Sequence, residues 1–464
     1  MFATMLGPGT HVSQHIEPPI KQPVDKNAST NRARHVGMLG TTTNLVYLAL
    51  AAATAPWWAR KARGGWSERF GKVAPLPSLD ADNADDADAR PRIMLHTVSV
   101  GETNAVRALV PLLTPHARVI VTATTDTGLK RATELYGQTC DVRRYPLDAT
   151  FAVRRFLDTV RPDVVGLTEL ELWPNFVAAC RARGVPVAVI NGRISERSFA
   201  GYKKIRTVLR GAFGSLSAVG AQDGAYAQRF VALGTHSDRV RVVGSMKWDS
   251  ARDPHPDGPS PKALALAESM GIDLGRPVLV AGSTGPGEEA LLHRSCPNGV
   301  QLLCAPRKPE RFDDAAMDLP GCARRSKGER GVRDRFLLDT LGELGSAYEL
   351  ADVVVVGRSF GLVDGPVQGS DPMEPAALGK PIITGPAHAN FATVVGQLKE
   401  AGALRVVDAH GLGALLAELF DSADLRSAMG AAGLGCVAAQ RGASARCAQI
   451  LLGLCPVRGH TGSQ

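Results

Sequence analysis

No two of the eight cysteines form a CxxC pair, and none clusters with histidine at metal-ligand spacing. Cys140, Cys180, Cys296, Cys304, Cys322, Cys436, Cys447 and Cys455 are scattered instead. That pattern excludes a structural zinc module and the disulfide framework of a small secreted domain, and it reads as reduced thiols in a cytosol-facing protein. A Walker lysine is also missing. The string Ala281-Gly-Ser-Thr-Gly-Pro-Gly-Glu-Glu289 is rich in glycine but spells neither a P-loop nor GxGxxG, which excludes a P-loop nucleotidase. With 44% hydrophobic and 21% charged residues, the chain cannot be wholly disordered, collagen-like or a polytopic membrane protein.

What is present suits two or three domains. The chain has 464 residues, long enough for an ample core in each domain at roughly 150 residues apiece. Lys and Arg number 53 against 45 Asp and Glu, a net charge of +8. Such a balance fits nucleic acid, an anionic membrane or a phosphorylated substrate, and charge alone does not choose among them.

Residues 1–36 are polar, rich in Pro, Asn, Thr and His, and read as a disordered extension. Residues 37–58 then carry no charge, close to the ~20 residues that cross a bilayer, and the core of this run is Leu45–Trp58. Trp57 and Trp58 stand at its end, followed by Arg60, Lys61 and Arg63. A signal peptide ending at Ala53-Thr-Ala55 and a buried helix are alternatives. The flanking aromatics and cations favour a single membrane-anchor helix over 37–60, with the body on the cytoplasmic side. The aspartate-rich segment Leu79–Arg90 has no packing face and reads as a solvated loop.

From Ile93 onward, short apolar runs alternate with amphipathic stretches. Strands are expected at Ile93–Thr97, Val119–Thr122, Val164–Leu167 and Val185–Ile190, with helices at Glu102–Leu113, Gly128–Tyr136 and Phe151–Val160. The segment Asp253–Pro261, with four prolines in nine residues, marks a linker. The pattern then restarts with strands at Val278–Ala281, Gln301–Ala305, Val353–Gly357, Pro381–Thr384 and Leu404–Val407. The expected fold is α/β: Rossmann-like domains at 61–252 and 263–456 facing a cleft, a linker at 253–262 and a tail at 457–464.

Several strings fall where such a sheet presents its carboxyl ends. His96-Thr-Val-Ser-Val-Gly-Glu102 ends a strand and opens a helix, so Glu102 is either a cap or a catalytic carboxylate. Thr122–Gly128, which includes Thr125, is a hydroxyl-rich loop suited to a sugar, a phosphate or a helix cap. Glu169 and Glu171, beside Trp173 and Pro174, sit poorly in a core and well at a cleft lip. Arg193 and Ser195 follow another strand, either as an anion site or as a solvated face. In the second half, backbone N–H groups around Ser283 and Thr284 can hold an anion. Arg307 and Lys308 can meet a nucleotide phosphate, and Glu374 can accept ribose hydroxyls or merely cap its helix.

In order along the chain, Gly65-Trp-Ser-Glu-Arg-Phe-Gly71, Ser99-Val-Gly-Glu102, Glu169–Asn175, Ser195-Glu-Arg-Ser198, Gly282-Ser-Thr284, Pro306-Arg307 and Glu374-Pro-Ala-Ala-Leu-Gly379 resemble the family of 3-deoxy-D-manno-octulosonic acid (Kdo) transferases of lipopolysaccharide biosynthesis. The resemblance runs from about Leu45 to Val407. It implies a GT-B glycosyltransferase that is inverting, metal-independent and without cofactor. Such an enzyme moves Kdo from CMP-Kdo to the glucosamine 6′-hydroxyl of the lipid A precursor lipid IVA at the bacterial inner membrane, with no nucleic-acid partner. It further implies Glu102 as general base. Ser99, Gly101, Thr125, Glu169, Glu171, Arg193 and Ser195 would serve the acceptor or transition state; Ser283, Thr284, Arg307, Lys308, Glu343, Ser359 and Glu374 would serve the donor. Another GT-B nucleotide-sugar enzyme and a non-catalytic anchored relative are the alternatives. The chain departs from the family pattern at Gly357-Arg358-Ser359, where Gly-Gly-Ser is usual, at Ser370-Asp371, and at Lys308.

Overall fold

The computed structural model describes residues 64–76, 90–330, 334–362 and 369–456. The proposed anchor over 37–60, the aspartate-rich loop and the 457–464 tail lie largely or wholly outside them. No described helix is long and apolar enough to cross a membrane.

Two seven-stranded parallel sheets organise the chain, as the alternating pattern predicts. The first has the order β3-β2-β1-β4-β5-β6-β7, with β1 Arg92–Thr97, β2 Arg118–Ala123, β3 Asp141–Arg144, β4 Val164–Thr168, β5 Val187–Gly192, β6 Ala218–Ala221 and β7 Val240–Val242. The second runs β10-β11-β9-β8-β12-β13-β14, with β8 Val278–Thr284, β9 Gln301–Pro306, β10 Ala323–Arg324, β11 Arg335–Leu337, β12 Val353–Val356, β13 Ile382–Thr384 and β14 Leu404–Val406. Central strands such as β4, β5, β8 and β12 are buried along their full length. Helices cover both faces of a doubly wound sheet, which is why these strands read as unbroken apolar runs. The sequence pattern missed β3, β6, β7, β10 and β11. These are short, and β3 and β7 are half-exposed and charged, so they carry little apolar signal.

Strand order reverses between β1 and β4 in one lobe and between β8 and β12 in the other. Loops leaving adjacent strands there diverge to opposite faces and open a crevice.

Three boundaries differ from the sequence reading. The helix expected over Glu102–Leu113 is two pieces, Val100–Ala105 and Val110–Leu113, because Pro111 has no N–H to return to residue 107. The lobe boundary expected after residue 252 falls inside the helix Met246–Ser250. Met246 packs in the first lobe's core, whereas Trp248 is buried in the second's. Finally, the helix Ala443–Gly453 returns to the first lobe rather than closing the second. Its Ala443, Cys447, Ala448 and Leu451 share a core with Ile93, Leu95 and Ile190. Gly166 in β4 eases this packing, since a Cβ there would lie 3.1 Å from the Leu451 side chain. Asp249 joins the two crossings by accepting the N–H groups of Gly442 and Ser444, both at 2.6 Å.

Candidate active site

A cavity of about 670 Å³ opens between the lobes. Gly101, Asn104, Ala105, Arg107 and Arg131 line it from the first lobe, and Lys247, Ser250, Ala251 and Arg252 from the connecting segment. Its far wall includes Ser283, Arg307, Tyr348, Arg358, Asp371 and Glu374, with Asn390 and Phe391 at one side. Six cations against two carboxylates give this space a strong positive field.

Glu102 does not itself line the cavity; it stands between two residues that do, Gly101 and Asn104, on the turn where β1 opens into the helix Val100–Ala105. Ser99 caps that helix: its Oγ accepts the Glu102 N–H at 3.5 Å and donates to Glu102 Oε1 at 3.3 Å. Glu102 Oε2 accepts the Val98 N–H at 2.8 Å. This is a capping box whose carboxylate reaches one residue further back than usual. Burial nonetheless pushes the Glu102 carboxyl up to about 7, and the nearby Glu169 and Glu171 add to the effect while the Val98 hydrogen bond opposes it. The group is thus a cap and a half-buried base poised near neutrality.

His96, at the head of the same string, is not a second base. It is wholly buried, stacked on Tyr145 with ring centroids 3.6 Å apart, and burial lowers its pKa to about 3. Its Nδ1 is 3.0 Å from Thr122 Oγ1, so it works as a neutral polar link between β1 and β2. Thr125 serves structure as well: it caps the helix Asp126–Tyr136 through the Gly128 N–H and donates to Val98 O at 2.8 Å, bracing the Glu102 turn. The Gly65–Gly71 string braces the same loop. Arg69 and Arg144 both pair with Asp126, at 3.2 and 2.6 Å.

Glu169 follows β4 in a left-handed conformation, φ 58°. Glu171 accepts the Trp173 indole N–H at 3.1 Å, and burial raises its pKa. Arg193 is half-buried with its Nε 3.4 Å from the Tyr226 hydroxyl, and Ser195 caps the helix Glu196–Lys204. None of these four lines the inter-lobe cavity, although Glu169 and Glu171 act on Glu102 through their charge.

Across the cavity the donor-side expectation divides. Ser283, Arg307 and Glu374 line it. Burial raises the Glu374 carboxyl, with Arg252 opposing, and Asp371 next to it is likewise raised by burial. Thr284, Lys308, Glu343 and Ser359 do not line it. Thr284 is wholly buried and donates to Glu289 at 2.6 Å, whereas Lys308 is exposed and pairs with Glu310 at 3.6 Å. Glu343 is held by Arg325 at 3.0 Å. Ser359 is buried; its Oγ donates to Val356 O at 2.8 Å and accepts the Gly385 N–H at 2.8 Å.

Two acids at the start of the helix Glu288–Ser295 shape the whole second wall. Glu288, 2% exposed, accepts N–H groups from Gly285 and Arg358 at 2.8 and 2.6 Å, and from Ser359 and Phe360 at 2.8 and 3.2 Å. It therefore fastens the loop after β8 to the loop after β12. Glu289 takes a two-pronged ion pair from Arg311 at 3.0 and 3.2 Å. Gly282 lets the buried Tyr348 hydroxyl come against β8, where a Cβ would collide with it.

Sequence reasoning did not select Arg107, Arg131, Lys247, Arg252, Tyr348 or Asn390. A faint signal existed for the first lobe, because Gly101, Asn104 and Ala105 share a helical face. Lys247 and Arg252 precede the proline-rich linker, but only the folded chain turns them into the cleft.

A family model described as 3-Deoxy-D-manno-octulosonic-acid transferase (kdotransferase) matches residues 64–250. The chain is 35% identical over 419 residues to a 3-deoxy-D-manno-octulosonic acid transferase of Bordetella pertussis, covering 84% of this chain and 92% of that protein. It is 32% identical over 377 residues to the transferase of the same name from Haemophilus influenzae, covering 77% of this chain and 86% of that one. Among solved structures, a glycosyltransferase from Rickettsia africae shares the fold with a TM-score of 0.55 at 13% identity, covering 79% of this chain and 99% of that one. Two doubly wound lobes joined this way are the GT-B arrangement, and with such identity along nearly the full length of its relatives the chain belongs to the Kdo transferase family and is a glycosyltransferase.

Proposed function

We propose that the enzyme transfers Kdo with inversion from CMP-Kdo to the 6′-hydroxyl of the lipid IVA glucosamine, with Glu102 as general base. One observation carries this reading: a carboxyl raised to about 7 stands on the first lobe's switch-point turn, beside a cavity lined by six cations against two carboxylates. A primary hydroxyl holds its proton far above neutrality. A base titrating near the working pH takes that proton as the new bond forms at the ketosidic carbon, an effect typically worth ~10²–10⁴-fold. On the leaving side, Arg307 offsets the charge that develops on the CMP phosphate, and Glu374 accepts ribose hydroxyls.

Transfer of labelled Kdo from CMP-Kdo to lipid IVA in membranes tests the proposal. Labelled lipid IVA is the expected product. Labelling from a uridine-linked sugar instead would assign the protein to another GT-B reaction, and donor binding without transfer would make it a non-catalytic relative.

The same reading places the protein on the cytoplasmic face of the inner membrane, anchored by residues 37–60. In its support, Trp66 and Phe70, which follow that segment in the sequence, form an exposed stacked row with Phe151, with centroid spacings of 5.8 and 5.9 Å. Aromatics gather at membrane interfaces. Removing residues 1–60 should release the protein into the soluble fraction; a truncated protein that pellets and resists carbonate washing would contradict a single anchor.

A further inference from the structure

We propose that Arg358 is a donor-recognition residue whose guanidinium grips an anionic group, phosphate or carboxylate, of the molecule bound between the lobes. The inference rests on the CMP-Kdo reading and adds to it a contact that the sequence showed only as a departure from the family's Gly-Gly-Ser.

Position is the first argument. Arg358 leaves the end of β12 at the switch point, and the neighbouring strands β8 and β9 deliver Ser283 and Arg307 to the same cavity wall. Three adjacent strands thus converge on one spot.

Backbone conformation is the second. Arg358 has φ 58°, in the left-handed region that disfavours any residue with a Cβ. It is held there from both sides. Its N–H donates to Glu288 Oε2 at 2.6 Å, and its C=O accepts the Gly369 N–H at 2.9 Å. Glycine would meet this demand without strain, so an arginine here calls for an explanation in its side chain.

That side chain supplies the third. Its stem lies over Gly285, where an added Cβ would come 3.2 Å from Arg358 Cγ, and the residue lines the cavity. Structural arginines in this lobe are held by the protein itself: Arg311 meets Glu289, Arg324 meets Asp339 and Asp313, Arg325 meets Glu343, and Arg335 and Arg426 donate to backbone carbonyls. The half-buried Arg358 side chain has no ion pair or hydrogen bond among the described residues. A planar fork left open in a cleft is matched to the paired oxygens of a phosphate or a carboxylate. Both occur in the proposed donor, on the nucleotide and on the sugar acid respectively.

Calorimetry with cytidine, CMP and CMP-Kdo on the full-length protein, with Arg358→Gly and Arg358→Lys beside it, provides the test. Arg358→Gly relieves the left-handed strain, so it should melt no lower than the parent while losing donor affinity. If the phosphate is the target, CMP binding falls tenfold or more and cytidine binding is unchanged. If the sugar carboxylate is the target, CMP binding holds and CMP-Kdo binding falls tenfold or more. Arg358→Lys, which keeps charge without the fork, should fall between. Parental affinity for both CMP and CMP-Kdo in Arg358→Gly overturns the proposal alone. A parent protein that binds neither overturns the donor reading and this proposal with it.

Discussion

At the first lobe's switch point the loops after β1 and β4 carry Glu102, Glu169 and Glu171, and burial lifts the titration of Glu102 and Glu171. The matching loops of the second lobe also hold an acid, Glu288, but four backbone N–H groups consume it, and the ionisable side chains those loops turn toward the cleft are Arg358 and Asp371. The topology is the same, but only the second lobe sets a cation at its switch-point loops. A doubly wound sheet fixes only where a site lies; the loop residues decide whether it offers a base or an anion cradle. Strain marks both places. Glu169 and Asn191 in one lobe and Ser283 and Arg358 in the other are left-handed non-glycine residues at strand ends.

Replacing the acid on the basic side of chemistry should have the largest effect. Glu102→Gln keeps the shape of the cap but cannot take a proton, so turnover should fall ~10²-fold or more with CMP affinity nearly unchanged. A folded variant with near-parental turnover would reduce Glu102 to a cap. The same variant tests the titration through stability. Folding raises the Glu102 pKa from 4.5 to about 7. The stability linked to that proton is complete below the unfolded value and is lost as pH rises through about 7. Melting of Glu102→Gln should therefore improve relative to the parent between about pH 5 and pH 8.

On the other side, Glu288→Gln would point an amide at N–H donors and strand part of the clasp. A loss of about 2–5 kcal/mol is expected, at roughly 2–4 °C per kcal/mol for a lobe of this size, together with weaker CMP binding. Thermal melting and calorimetry on one preparation check both; an unchanged melting temperature would show that the clasp is dispensable.

A smaller effect is expected from Glu374→Gln, which should cost ~1.5–3 kcal/mol of CMP binding by removing a charged acceptor. Equal affinity by calorimetry would take Glu374 out of the nucleotide site. Smallest of all is Glu171→Gln. It removes one like charge from Glu102, whose shift comes mainly from burial, so the acid limb of the pH–rate profile should move down by less than about one unit. A limb that stays in place would disconnect the two acids.

Much of this was legible in the chain. Buried parallel strands announce themselves as runs such as Val353-Val-Val-Val356, and a Pro-rich linker separates two such series. Glu102, Arg307 and Glu374 could be chosen because each stands just past a strand or at a helix start. Lys308 and Thr284 could be chosen on the same grounds, yet one faces solvent and the other donates to a buried acid. Sequence adjacency to a site says nothing of which way a side chain turns.

The sequence by itself determined the two series of strands and the order of the motifs. It also determined the family, since each of these depends on local pattern and residue identity. Tertiary structure alone decided that Asp249 would join the two lobe crossings, that the last helix would return to the first sheet, and that Arg358 would be turned into the cleft. Those outcomes depend on contacts between residues far apart in the chain: Glu288 reaches Arg358 across 70 positions and Asp249 reaches Gly442 across 193. No local period encodes such contacts, and only closure of both sheets brings the partners within hydrogen-bonding distance.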